Sequence, residues 1–137
     1  MADKVRKVDY YYATVPDRAG EGLKVLSALK NAGVLLLACS GFPLAGGRSQ
    51  LTLVPDDARK FKQAADAAGL ALTGPKRVFV ITGDDRVGAA AEHAKKLAEA
   101  KVNVTAVTAL TGGSGRYGML VWVASADFDK AAAALGA

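Results

Sequence analysis

The sequence predicts an α+β fold made of two β-α-β-β-α-β units in tandem, and three observations carry that reading. The 137-residue chain repeats itself: Asp17-Arg18-Ala19-Gly20 returns as Asp85-Arg86-Val87-Gly88, 68 positions on. The same offset takes Val34 to Val102, Ala38 to Ala106 and Arg48 to Arg116, and each of those arginines follows a glycine-rich stretch. Within each half the hydrophobic period switches from strand to helix to strand in the same order.

The elements follow along the chain. Val8 to Val15 is β-branched and aromatic, a strand. Between Arg18 and Ala32, Leu23, Leu26 and Leu29 recur at helical spacing, and Gly33 stands where a helix ends. Val34 to Ser40 is an apolar run that leads through a glycine-proline loop to the alternating strand Ser49 to Val54. Pro55-Asp56-Asp57 opens a second helix with Ala58, Phe61, Ala65 and Ala68 on one face, and Leu70 to Thr73 forms a short last strand before Gly74-Pro75. The second half repeats the order with a strand at Val78 to Thr82, a helix at Val87 to Ala100, and strands at Val102 to Thr108 and Tyr117 to Ala124. Val87, Ala90, Ala94, Leu97 and Ala98 form the inner face of that helix, and a last helix runs from Asp127 to Leu135. The expectation is two ferredoxin-like units, 1–75 and 76–137, each an antiparallel sheet with its helices on one face. The second unit lacks its last strand in this reading.

Composition sets the class. Hydrophobic residues make up 51% and charged residues 23% of the chain, the balance of a core-forming globular protein. No apolar run reaches the roughly 18 residues of a membrane span, and no apolar signal core follows the charged residues up to Lys7. A single cysteine, Cys39, excludes an internal disulfide and fits a reducing, cytoplasmic setting; its expected role is a small buried thiol. The net charge of +5 is spread along the chain in short clusters, as on a solvated basic surface.

A strand followed by Val15-Pro16-Asp17-Arg18-Ala19-Gly20, then a leucine-rich helix ending in Ala32-Gly33-Val34, resembles the signature of the ACT-domain family. The second copy reads Gly83-Asp84-Asp85-Arg86-Val87-Gly88. The resemblance implies a stand-alone tandem regulatory protein, not an enzyme, that binds an amino acid at interfaces between paired units. In the family, a polar residue of this loop and an Asn at the start of the second strand contact the ligand. Carried over, the site comprises Asp17, Arg18, Ala19 and Gly20 with Val34 and Leu35, and Asp85, Arg86, Val87 and Gly88 with Asn103 and Val104. Asn103 matches the family's Asn, whereas Leu35 replaces it in the first unit, so the carboxyl-terminal unit is expected to hold the better site. The chemistry of the loop suits a zwitterion independently. A helix start offers N–H groups and partial positive charge to a carboxylate, and a neighbouring Asp can meet an ammonium. Equally, Asp17 and Asp85 suit helix N-caps with no ligand, and Arg18 and Arg86 suit solvated first-turn residues.

RNA-recognition domains share this element order and stack bases on aromatics of two central strands. Phe79 and Tyr117 to Trp122 approach that pattern, but Met119 stands where an aromatic is wanted, and a core or interface role suits Phe79 and Trp122 better. A protein-interaction module without a small ligand is the other alternative. The lone His93 has no metal-spaced companion, and the glycine loop Thr111 to Gly115 lacks the Lys-Ser/Thr of a phosphate loop, so no metal, cofactor or catalytic group is expected. A homodimer is expected, because without a last strand Arg77 to Thr82 would be an open edge, unless Leu70 to Thr73 turns across to cover it.

Overall fold

A computed structural model describes residues 2–137, with six strands and four helices among them. In chain order these are β1 (Lys4–Pro16), α1 (Glu21–Asn31), β2 (Leu36–Leu44), β3 (Arg48–Pro55), α2 (Ala58–Ala67), β4 (Thr73–Asp84), α3 (Ala89–Glu99), β5 (Val104–Gly113), β6 (Arg116–Val123) and α4 (Phe128–Leu135). The chain divides into two compact units. Asp9–Lys76 forms the amino-terminal unit, and residues 2–8 with Arg77–Ala137 form the carboxyl-terminal unit.

Both long strands therefore serve twice. The strand order is β2-β3-β1-β4 in the amino-terminal unit and β1-β4-β6-β5 in the carboxyl-terminal one, each strand hydrogen-bonded to its neighbours. Gly74 lies against Tyr10 and Tyr11 in one unit and Gly83 against Asp3 in the other, so β1 and β4 run in opposite directions. The architecture is α+β, with antiparallel strands and four helices, consistent with a ferredoxin-like fold.

The missing last strand is a correction. The first residues of β1 supply it, and Val5 packs against the carboxyl-terminal core. Arg77 to Thr82 is consequently no open edge, because β4 lies between β1 and β6. Leu70 to Thr73 does not form a strand of its own; β4 begins at Thr73 and runs straight through Gly74-Pro75. Proline is tolerated there because this end of β4 is the rim of the amino-terminal sheet, where one side needs no N–H donor.

Apolar alternation builds one core per unit. In the amino-terminal unit Tyr11, Val25, Leu29, Leu53 and Phe61 are buried together, with the Tyr11 and Phe61 rings 4.9 Å apart. Leu23, expected on the inner face of α1, is exposed, because Val25 and Leu29 take that face. In the carboxyl-terminal unit Phe79, Ile81, Leu97, Val121 and Phe128 are buried together, and Phe79 stacks on Phe128 at 4.4 Å. The inner face of α3 is Ala89, His93 and Leu97. Val87 precedes the helix and is fully exposed, so the expected face was rotated. Cys39 is exposed on β2, where a buried thiol was expected.

The burial of Phe79 removes it from any base-stacking surface. Phe79→Ala is expected to cost about 3–5 kcal/mol in denaturant unfolding, as a core aromatic does; a change under 1 kcal/mol would place the ring outside the core.

Candidate functional site

Both helices α1 and α3 begin on a glycine in the left-handed region, Gly20 at φ 86° and Gly88 at φ 82°. Open space surrounds both glycines, so the backbone turn, and no close neighbour, requires them. Neither helix start carries a side-chain cap. Asp17 and Asp85 are thus not N-caps, in contrast to Asp57, which accepts from the N–H groups of Arg59 and Lys60 at the start of α2. Their own N–H groups bind the facing hairpins, Asp17 donating to Gly47 O at 2.9 Å and Asp85 to Gly115 O at 2.8 Å.

A cavity lies beside each loop. In the amino-terminal unit an open cleft of about 310 Å³ lies among Asp17, Arg18, Gly22, Phe42 and Ser49. In the carboxyl-terminal unit about 270 Å³ lies among Asp85, Arg86, Gly88, Leu110, Thr111 and Tyr117. The two differ in their aspartates. Ser49 Oγ donates to Asp17 Oδ1 at 2.9 Å. Tyr117 occupies the repeat position of Ser49 but turns to Asp3, and Asp85 remains exposed.

The second-strand residues are not brought to these cavities. Val34 and Leu35 line a separate cleft of about 180 Å³ with Asp56, Asp57 and Lys60. Asn103 is exposed just beyond the far end of α3, and Val104 begins β5, whose other end holds Thr111 beside Tyr117. An eleven-residue helix, about 16 Å long, separates Asn103 from Asp85.

The carboxyl-terminal unit also holds a polar network that sequence reasoning missed. The Asp3 carboxylate, its side chain 6% exposed, accepts from Arg86 Nη1 and Nη2 at 3.1 Å each and from the Tyr117 hydroxyl at 2.5 Å. His93, 2% exposed, places Nε2 2.7 Å from Asp3 Oδ2 and 3.0 Å from the Tyr117 oxygen. With Tyr117 donating to Asp3, that Nε2 carries the hydrogen, and the buried Nδ1 has no partner. Arg86 also donates to Asp84 O at 2.9 Å and to both Glu92 oxygens at 3.3 and 2.5 Å, so its five N–H groups are all engaged within the unit. Among the described residues Arg18 pairs only with Glu21, and its side chain is 72% exposed. The network spans 114 positions of sequence, from Asp3 to Tyr117, and no local periodicity announces it.

No protein-family model matches the chain, and no curated protein sequence matches it. Solved structures do. A protein of Bacteroides thetaiotaomicron aligns with a TM-score of 0.82 at 16% identity, over 96% of this chain and 88% of that one. The ligand-free regulatory subunit of aspartate kinase from Thermus thermophilus aligns at 0.64 and 14% identity, over 99% and 95%. The chain shares its fold with these two proteins. Aspartate kinase from Synechocystis contains it as part of a longer chain, at 0.65 and 17% identity, with 98% of this chain covering 26% of that enzyme. Among the described residues no helix is long and apolar enough to cross a membrane, and no group of three or more His, Cys, Asp or Glu residues is placed to hold a metal.

The hydrogen bonds of Arg86, reinforced by Tyr117 and His93, outweigh burial and hold the Asp3 carboxyl well below the usual carboxylate range. Burial, then the bond to Asp3, pushes the Tyr117 phenol up to about 12. A carboxyl depressed in the folded state stabilises fully above its unfolded value of about 3.9 and loses that contribution as pH falls below it. Asp3→Asn is therefore expected to unfold at lower denaturant than the wild type by roughly 1.5–3 kcal/mol between pH 5 and 8. The gap should narrow on acidification below about pH 4; a gap that is constant down to pH 2 would remove the ion pair from the account.

Proposed function

We propose that this chain is a regulatory protein that binds a small amino acid or similar zwitterion, catalyses no reaction, and completes its ligand sites between two copies of itself. The observation that carries the reading is the uncapped start of α3 beside the exposed Asp85. Its first-turn N–H groups suit a carboxylate and the aspartate suits an ammonium, within one loop and over one cavity. The amino-terminal loop is a weaker candidate, because Ser49 engages Asp17 and the apolar Leu35 stands at the position of Asn103.

The distance of Asn103 from Asp85 argues for two copies. Edge strands of two chains paired antiparallel would set the start of one β5 beside the end of the other, bringing Asn103 of one copy to the Asp85 loop of its partner. β5 is the rim of its sheet and is exposed along nearly its whole length, with Val107 and Leu110 open to solvent. β2 is the corresponding rim of the amino-terminal sheet and carries the exposed Phe42. The structural neighbours agree in kind, since the Thermus protein is a regulatory subunit.

Screening the standard amino acids by thermal melting tests the reading. A ligand at about 100 times its dissociation constant adds about 2.7 kcal/mol to stability, a melting shift of roughly 3–6 °C for a chain of this length. Asn103→Ala is expected to abolish the shift and leave the free melting point unchanged, and light scattering at micromolar concentration is expected to give a dimer. No shift with any amino acid would leave a protein-interaction module. Loss of binding in Asp17→Ala but not in Asn103→Ala would move the site to the amino-terminal unit.

A further inference from the structure

The network around Asp3 is built like a receptor for a carboxylate, and the carboxylate it holds comes from a distant part of the chain. Arg86 supplies two donors, Tyr117 a third, and His93 Nε2 lies at 2.7 Å. Gly83 forms the wall of this cradle, where a Cβ would overlap the Asp3 carboxylate. The same guanidinium reaches three parts of the unit: Asp3 before β1, the carbonyl of Asp84 at the end of β4, and Glu92 on α3. Arg86 and Tyr117 also line the 270 Å³ cavity, so the groups that grip Asp3 are part of its wall.

We propose that Asp3 is the positioning residue of this cavity, fixing the loop from Asp84 to Gly88 through Arg86, so that residues 2–8 set the shape of the ligand site. The inference rests on the reading of that cavity as a ligand site for its use, while the positioning itself stands on geometry. The amino-terminal unit serves as an internal comparison. Its repeat counterparts of His93 and Tyr117 are Val25 and Ser49, and Arg18 reaches only Glu21. Among the described residues its loop has no cradle, and no residue from a neighbouring strand holds its arginine. The two loops share a backbone turn and differ in what holds them.

Hydrogen–deuterium exchange of the whole chain without ligand tests the positioning. Asp3→Ala is expected to speed amide exchange across residues 84–92 at least tenfold, to leave residues 17–24 unchanged, and to be reversed by formate, which refills the cradle, but not by equal chloride. Gly83→Ala should produce the same local change, and the double variant should be no worse than either single one. Where Asp3→Ala fails to fold, Asp3→Asn and Tyr117→Phe carry the measurement with smaller increases in the same segment. Unchanged exchange at 84–92 would overturn the proposal, as would an equal rise over 128–135 that formate does not reverse. The amino-acid screen separates the two readings. If a ligand binds the wild type and Asp3→Ala weakens it without formate, both stand; if nothing binds, the exchange result still decides the role of Asp3.

Discussion

A four-stranded sheet carrying two helices on one face closes its core only when both central strands are flanked, and residues 77–137 provide three strands. The fourth comes from the start of β1. A lone unit of this size has little apolar area to set against its conformational entropy, so an open side along β4 would remove a large share of its stability. The docking of a five-residue stretch, Lys4 to Val8, is thus the constraint on which the carboxyl-terminal unit depends. Val5 contributes apolar burial to it, and Asp3 contributes direction.

That direction comes from polarity. Placing a carboxylate in a site only 6% exposed is costly unless donors replace its water, and here three side chains do so. An apolar residue at that position would pack in more than one register, whereas a carboxylate facing Arg86, Tyr117 and His93 is satisfied in a single one. The amino-terminal unit solves the same problem without charge: Val25 stands where His93 stands, buried among Leu29, Leu53 and Phe61. Two copies of one repeat have therefore kept the backbone plan and exchanged an apolar contact for a hydrogen-bonded one.

Local signals were legible in the sequence and long-range ones were not. Helices α1 to α4 and the hairpin strands stand close to where leucine spacing, alternation and glycine stops put them, because those features are decided by residues a few positions apart. The two long strands were read short. Gly74-Pro75 has the composition of a turn, and only its place at the rim of one sheet lets β4 continue through it. Lys4 to Lys7 reads as a charged terminal stretch until its partner strand is known. Val87 misled because an apolar residue before a helix looks like its first buried position; the left-handed Gly88 ends the loop after it and leaves it outside. The loops at Asp17 and Asp85 were found because the repeat marks them. Asp3 carries no mark, since its meaning lies in Arg86, His93 and Tyr117, more than 80 positions away.

The left-handed glycines also bear on what the loops can do. In an aspartate-capped helix the carboxylate spends its lone pairs on the first-turn N–H groups, and donor and acceptor cancel each other locally, as at Asp57. Gly20 and Gly88 turn the chain into the helix without help from a side chain. The first-turn donors and the preceding carboxylate then remain separate and of opposite sign within one loop. The first N–H of each helix, on Glu21 and Ala89, donates back to Arg18 O and Arg86 O; the later first-turn donors and the exposed carboxylate are groups that water, or a molecule with an anionic and a cationic end, can meet. Asp17 has partly closed that option through Ser49. In the carboxyl-terminal unit the tyrosine that replaces this serine is drawn away by Asp3, so the residue that secures the strand also leaves Asp85 uncovered.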